Sequence, residues 1–248
     1  PNCRAVLTSY ERCTQCQKIF STNVNAYTDL CVTQNNINDH TEAAYKIYSK
    51  YYAPVALLVY YLIWRGKFSR HVAFFRELLD HSKVIVDLAT GDGSLTKLAL
   101  FSPFKPKAEE VLAIDISGNM LEKARKKLPV TSAHLLRGDV MALPLADGSV
   151  QALSCFGGLN SFPDGGGALK EMHRILSPTK GVLRGSVLLM PNSPWRKNLV
   201  LDWIKKGYQS EEVTREKFDG WIKAANLIYT KVEQHGDVLL FEARRSNA

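Results

Sequence analysis

The residues best placed by type and spacing to hold a ligand lie in Val84-Ile85-Val86-Asp87-Leu88-Ala89-Thr90-Gly91-Asp92-Gly93-Ser94-Leu95. A β-branched run ends at a carboxylate, and a loop of small residues follows and opens a helix. Small residues let the backbone come within contact distance of a bound molecule, and the first helical turn offers N–H groups without intrahelical partners. A dinucleotide-binding loop wants a third glycine three residues after its second, and Thr96 stands there instead. The next apolar run ends Ala113-Ile114-Asp115-Ile116-Ser117. A carboxylate at the tip of a second strand can accept both hydroxyls of a ribose, so Asp115 is the expected nucleoside ligand. Asp87 and Asp115 are 28 residues apart, against the roughly 20 usual for such a unit. The excess falls in Ser102-Pro103-Phe104-Lys105-Pro106-Lys107.

Those residues need a sheet to position them. From about residue 81 the chain alternates strand and helix patterns, which predicts a parallel sheet with crossover helices. Strands are expected at Val84–Leu88, Val111–Asp115, Ala133–Arg137, Val150–Cys155 and Val182–Met190. A final pair, Leu227–Glu233 and Val238–Ala243, turns at His235-Gly236-Asp237 and reads as an antiparallel hairpin. Met120, Leu121, Ala124 and Leu128 form one buried helical stripe behind Ser117, a good N-cap; Leu169, Met172, Ile175 and Leu176 form another. Phe218, Trp221, Ile222 and Ala225 form a third, with its start expected at Ser210. Residues 34–80 read as helical, with Tyr45, Tyr48, Tyr52 and Val55 at helical spacing. The predicted fold is α/β and Rossmann-like: a seven-stranded, mostly parallel sheet with an antiparallel C-terminal hairpin, divided as 1–33, 34–80 and 81–248.

Four motifs in order resemble the class I S-adenosylmethionine-dependent methyltransferases. They are the first glycine loop; Asp115 continued as Ser117, Met120-Leu121 and Ala124-Arg125; Arg137-Gly138-Asp139-Val140 with Leu143-Pro144-Leu145 and Asp147-Gly148-Ser149; and Ala168 to Pro178 with Gly181. Within that superfamily they are most similar to the type 11 and menaquinone/ubiquinone C-methyltransferase group. The resemblance implies S-adenosylmethionine as cofactor, held by Asp87, Ala89, Gly91, Gly93, Asp115, Ile116, Met120, Asp139, Val140 and Phe156. It implies an acceptor pocket under a helical cap, with Tyr48, Tyr52 and Asn160 as substrate residues; the aromatic residues of the insertion at about 191–208 add Trp203 as a second wall, unless these apolar residues simply fill the core between cap and sheet. Relatives often carry histidine where Asn160 stands, so no catalytic residue is assigned. The expected acceptor is a small apolar or aromatic molecule. The alternative is an RNA- or protein-directed methyltransferase, or a non-catalytic nucleic-acid-binding protein.

Cys13-Thr14-Gln15-Cys16, with Cys3 upstream, resembles a zinc ribbon lacking one ligand, and implies a structural zinc on Cys3, Cys13 and Cys16; reduced, unligated thiols are the other reading. Five cysteines without a secretory signal point to a reducing, soluble, cytoplasmic setting, and an opening Pro1 points to a fragment or processed product. The net charge of +8 admits nucleic acid or an anionic membrane surface as partner, but the basic residues are dispersed and only Arg125-Lys126-Lys127 forms a run. Ala53–Trp64 is the most apolar stretch and falls short of the roughly 20 residues of a membrane span.

Overall fold

A computed structural model describes residues 22–23, 27–29, 52–101 and 106–246, with the first helix's side chains described from residue 57. Nine strands form one sheet: β1 (Thr22–Asn23), β2 (Tyr27–Asp29), β3 (Val84–Leu88), β4 (Glu110–Asp115), β5 (Ala133–Arg137), β6 (Ala152–Phe156), β7 (Val182–Leu188), β8 (Leu227–His235) and β9 (Val238–Arg245). Their order is β1-β2-β5-β4-β3-β6-β7-β9-β8. From β2 to β7 all neighbours pair in parallel, while β1 on one side and the β8–β9 hairpin on the other are antiparallel. β3 is central because four of its five residues are buried, as a strand covered on both faces requires.

The expectation of seven strands is corrected to nine among the described residues. The seven from residue 84 onward are present, and β1 and β2 extend the edge beyond β5. Strands of two and three residues are too short to show an alternating pattern. Strand boundaries also move by one or two residues, β7 ending at Leu188 instead of Met190. Val150 makes only an isolated bridge to Leu176, so β6 starts at Ala152.

Seven helices are described: α1 (Tyr52–Leu62), α2 (Phe68–Leu79), α3 (Ser94–Leu100), α4 (Gly118–Arg125), α5 (Gly165–Ile175), α6 (Pro194–Lys205) and α7 (Arg215–Ala224). Ser117 caps α4 by accepting from the Met120 amide at 3.4 Å, as its sequence position predicts. The start expected for α7 at Ser210 is corrected to Thr214, whose hydroxyl accepts from the Lys217 amide at 3.2 Å. The intervening residues serve other partners: the Ser210 amide donates to the Asn160 carbonyl, and the Val213 carbonyl accepts from Met190.

Helices cover both faces. On one, Phe75, Leu78 and Leu121 pack on Ile85, Val111 and Leu135; on the other, Leu169, Met172 and Phe218 pack on Leu153, Leu183 and Phe241. A third cluster joins Ile63 and Trp64 to Phe74, Val200, Val238 and Leu240, fastening the end of α1 to the hairpin. Arg196 strengthens that joint, donating to the Ile63 carbonyl at 2.7 Å and pairing with Asp237 in the hairpin turn.

Candidate cofactor and acceptor site

The chain runs outward from β3 through β4 to β5, then returns to β6 on the other side of β3. That reversal leaves a crevice at the carboxyl ends of the strands, the usual ligand position in such sheets. A pocket opens there, lined by Leu88, Ala89 and Gly91 after β3, Ile114, Asp115, Ile116 and Met120 around the tip of β4, Gly138, Asp139 and Val140 after β5, and Phe156 to Gly158 with Ser161 to Pro163 after β6. Eight of the ten residues that the resemblance assigns to the cofactor therefore meet on one wall: Ala89, Gly91, Asp115, Ile116, Met120, Asp139, Val140 and Phe156.

Asp115 is the charged centre of the crevice. Its carboxylate accepts from the Gly91 amide at 2.8 Å and the Ser117 amide at 2.9 Å, joining the first loop to the second. It shows part of its surface to the pocket and is ringed by protein elsewhere. Burial pushes its carboxyl up to about 6 despite those amides, and the neighbouring Asp87 charge adds to the rise. Gly91 holds a left-handed backbone (φ 57°), and a Cβ there would meet only open space, so the loop presents bare backbone to the pocket.

Asp87 and Gly93 are not on the wall. Asp87 lies behind it, 3% exposed, and accepts from the hydroxyls of Thr96 at 2.6 Å, Ser154 at 2.7 Å and Thr90 at 2.8 Å. Burial raises its carboxyl and the three hydroxyls oppose the rise. It thus ties the loop, α3 and β6 to the end of β3, behind the pocket lining. Gly93 precedes α3 and faces Ala124 and Leu128, a packing position. Asp92 is held from outside by Lys127, which also bonds Ser94 at 2.6 Å.

The acceptor assignments separate further. Asn160 is corrected: it is 2% exposed, its side-chain amide donates to the Leu188 carbonyl at 2.8 Å and its oxygen accepts from the Leu188 amide at 2.8 Å. It splices the loop after β6 to the end of β7 and does not line the pocket. Trp203 is half-buried, tilted against Trp64 with centroids 6.3 Å apart and packed on the third core cluster, and does not line the pocket. Tyr52 opens α1, but its side chain, like Tyr48, Cys3, Cys13 and Cys16, lies outside the described residues. Among the described residues no three His, Cys, Asp or Glu side chains group to hold a metal, and no helix is long and apolar enough to cross a membrane.

Sequence reasoning missed Gly158, Ser161 and Phe162, which shape the pocket beyond Phe156. The signal was present: Gly157-Gly158 follows a buried strand as the first loop follows β3. A Cβ at Gly158 would come within 2.6 Å of the Phe162 ring and 2.7 Å of the Ala89 Cβ, so the two loops close on each other. Also missed was His71 of α2, whose ring lies 5.0 Å from that of Phe156. Its Nδ1 is 3.0 Å from the Tyr60 hydroxyl and its Nε2 3.4 Å from that of Ser186, and burial pushes it down to about 4, so it is neutral at physiological pH. Phe75 stacks on the other side of Phe156 at 5.0 Å.

With this geometry in view, the comparisons with known proteins define a class. The methyltransferase domain family (Methyltransf_11) matches residues 86–183, which hold every residue lining the pocket. The chain therefore carries a methyltransferase domain, on the fold of S-adenosylmethionine-dependent methyltransferases. The S-adenosylmethionine dependent methyltransferase of Mesorhizobium loti superposes with a TM-score of 0.55 at 23% identity, over 69% of this chain and 95% of that one. Among particular relatives, an uncharacterized chloroplastic methyltransferase of Arabidopsis thaliana is 27% identical over 78% of this chain and 59% of its own length. The demethylmenaquinone methyltransferase of Chlamydia caviae is 32% identical over 47% of this chain and 46% of its own. The chain thus spans about half the length of the curated relatives it matches.

Proposed function

We propose that the protein transfers the methyl group of S-adenosylmethionine to a small apolar or aromatic acceptor, such as a substituted quinol ring. The observation that carries this reading is the convergence of eight assigned residues on one crevice at the reversal of the sheet. The donors and acceptors present suit a nucleoside: the Asp115 carboxylate for ribose hydroxyls, and Asp139 with the Val140 backbone for an adenine edge. The bare backbone at Ala89 and Gly91 leaves room for the amino-acid end. When bound, S-adenosylmethionine supplies a methyl group already activated by its sulfonium and leaves as a neutral thioether. The protein's task is then chiefly alignment and exclusion of water. Phe156, Gly157, Gly158 and Phe162 give the remaining wall an apolar face suited to holding a flat ring. The name of the Chlamydia caviae relative favours a quinone-type acceptor for this chain.

Calorimetric titration with S-adenosylhomocysteine tests the site. Asp115→Ala removes the acceptor of two charge-assisted hydrogen bonds and should weaken binding about 100-fold. Unchanged affinity would show that the crevice is not the cofactor site. Labelled methyl transfer into cell extract should then place the label in the lipid or small-molecule fraction; label confined to RNA or protein would refute the small acceptor.

A further inference from the structure

β2 has only three residues, and its ladder with β5 consists of Thr28 opposite Leu136 and Asp29 opposite Arg137. Two such pairs hold a strand weakly. Its side chains also reach the roots of two cofactor-site loops. The Tyr27 hydroxyl covers Gly118, standing 2.4 Å from where a Cβ would be, two residues beyond the pocket-lining Ile116. The Asp29 carboxylate accepts from Arg137 Nη1 at 3.1 Å. Arg137 in turn directly precedes Gly138, Asp139 and Val140 of the pocket wall, and its Nε donates to the Ile116 carbonyl at 2.9 Å.

One guanidinium thus bridges three parts of the molecule: it springs from the root of the adenine-side loop, holds the backbone of the ribose-side loop and is itself held by β2. A guanidinium is planar, with its donors in a fixed fork, so anchoring Nη1 on Asp29 sets the direction in which Nε points. The pair is about three-quarters shielded on both sides, with side-chain exposures of 25% and 26%. Lysine cannot reproduce the bridge, since one ammonium cannot span both acceptors with fixed geometry.

We infer that Arg137 and Asp29 are positioning residues for the nucleoside half of the crevice, and that β2 is thereby a working part of the cofactor site. The inference rests on the reading of that crevice as the S-adenosylmethionine site. It makes cofactor binding and the docking of β2 mutually dependent, because coupling between two equilibria is reciprocal.

The test compares Asp29→Asn, Arg137→Lys, the double variant and Asp115→Ala in the full chain. Each single positioning change should raise the S-adenosylhomocysteine dissociation constant roughly 3- to 10-fold. The double variant should be no weaker than the worse single one, since both changes break one bridge. The KM for S-adenosylmethionine should rise by more than kcat falls, which a general loss of folded protein would not produce. In the unaltered chain, S-adenosylhomocysteine should slow amide hydrogen exchange at Thr28 and Asp29. Full affinity in both positioning variants, with binding lost in Asp115→Ala, overturns the positioning role and leaves the site reading intact. Full affinity in Asp115→Ala overturns both. Additive losses in the double variant, or exchange at β2 indifferent to ligand, also overturn the coupling.

Discussion

At the scale of single residues, the two buried carboxylates divide the work. Asp115 faces the crevice, and Asp87 organises the loop that faces it. Because burial raises Asp115 to about 6, its charge is not fixed across the neutral range. A ribose hydroxyl donates to the carboxylate, and protonation replaces an acceptor with a donor. S-adenosylhomocysteine affinity should therefore be constant above about pH 7 and fall about tenfold per pH unit below 6, a limb absent from Asp115→Ala. For stability the sign is opposite. The folded state holds the Asp115 proton more tightly than the unfolded chain, so this group's stabilising contribution is present in acid and is lost as pH rises through about 6. His71 works the other way: its folded value is lowered, so its contribution is lost as pH falls from about 6.5 toward 4. Asp87→Ala would take the short acceptor from three buried hydroxyls, leaving Ser154 a 3.3 Å bond to the Val86 carbonyl and Thr90 and Thr96 a 3.3 Å bond to each other. At about 1 kcal/mol for each hydrogen bond lost, it should cost roughly 3 kcal/mol in urea unfolding. A loss well under 1 kcal/mol would mean that the longer bonds replace Asp87.

At the scale of elements, α2 is fixed to the sheet by Arg184 of β7. That side chain is 9% exposed, donates to the Phe74 carbonyl and to Glu77 at 2.8 Å each, bonds Glu242 of β9 at 2.7 Å and lies over the Phe74 ring. Arg184→Ala should destabilise by about 3 kcal/mol, because it leaves the largely buried Glu242 carboxylate without its cation. None of those partners lines the crevice, so S-adenosylhomocysteine affinity should hold; a loss of affinity without a loss of stability would refute this division. The sequence made β3 to β9 legible because long apolar runs and turn residues punctuate them, and it made the cofactor loops legible because carboxylate and small residues recur at strand tips. It did not disclose β2, whose three residues carry no periodicity, nor the partner of Arg184, set by folding across 58 and 107 residues. Asn160 misled for a related reason. It stands where relatives often carry histidine, but the backbone of Leu188, 28 residues on, occupies its side chain.

At the scale of the whole molecule, the end of α1, the start of α6 and the C-terminal hairpin meet at one joint. Arg196 of α6, 8% exposed, bonds the Ile63 carbonyl at the end of α1 and pairs with Asp237 in the hairpin turn, while the Asp237 amide donates to the Trp64 carbonyl at 2.8 Å. Asp237→Ala leaves the guanidinium short of its counter-charge. The expected result is a melting temperature lower by several degrees, with faster amide exchange in both residues 62–66 and 194–198. Faster exchange confined to the hairpin would show that the three parts are held independently.

The placement of β2 at the sheet edge also has a consequence in time. Asp29 and Arg137 are 108 residues apart, and β2 pairs with no strand made between them. At about 5–20 residues per second of synthesis, its partner is assembled roughly 5–20 s later. Through that interval the nascent β2 has only the two-residue β1 to pair with, so the segment translated early is among the last to be built into the main sheet.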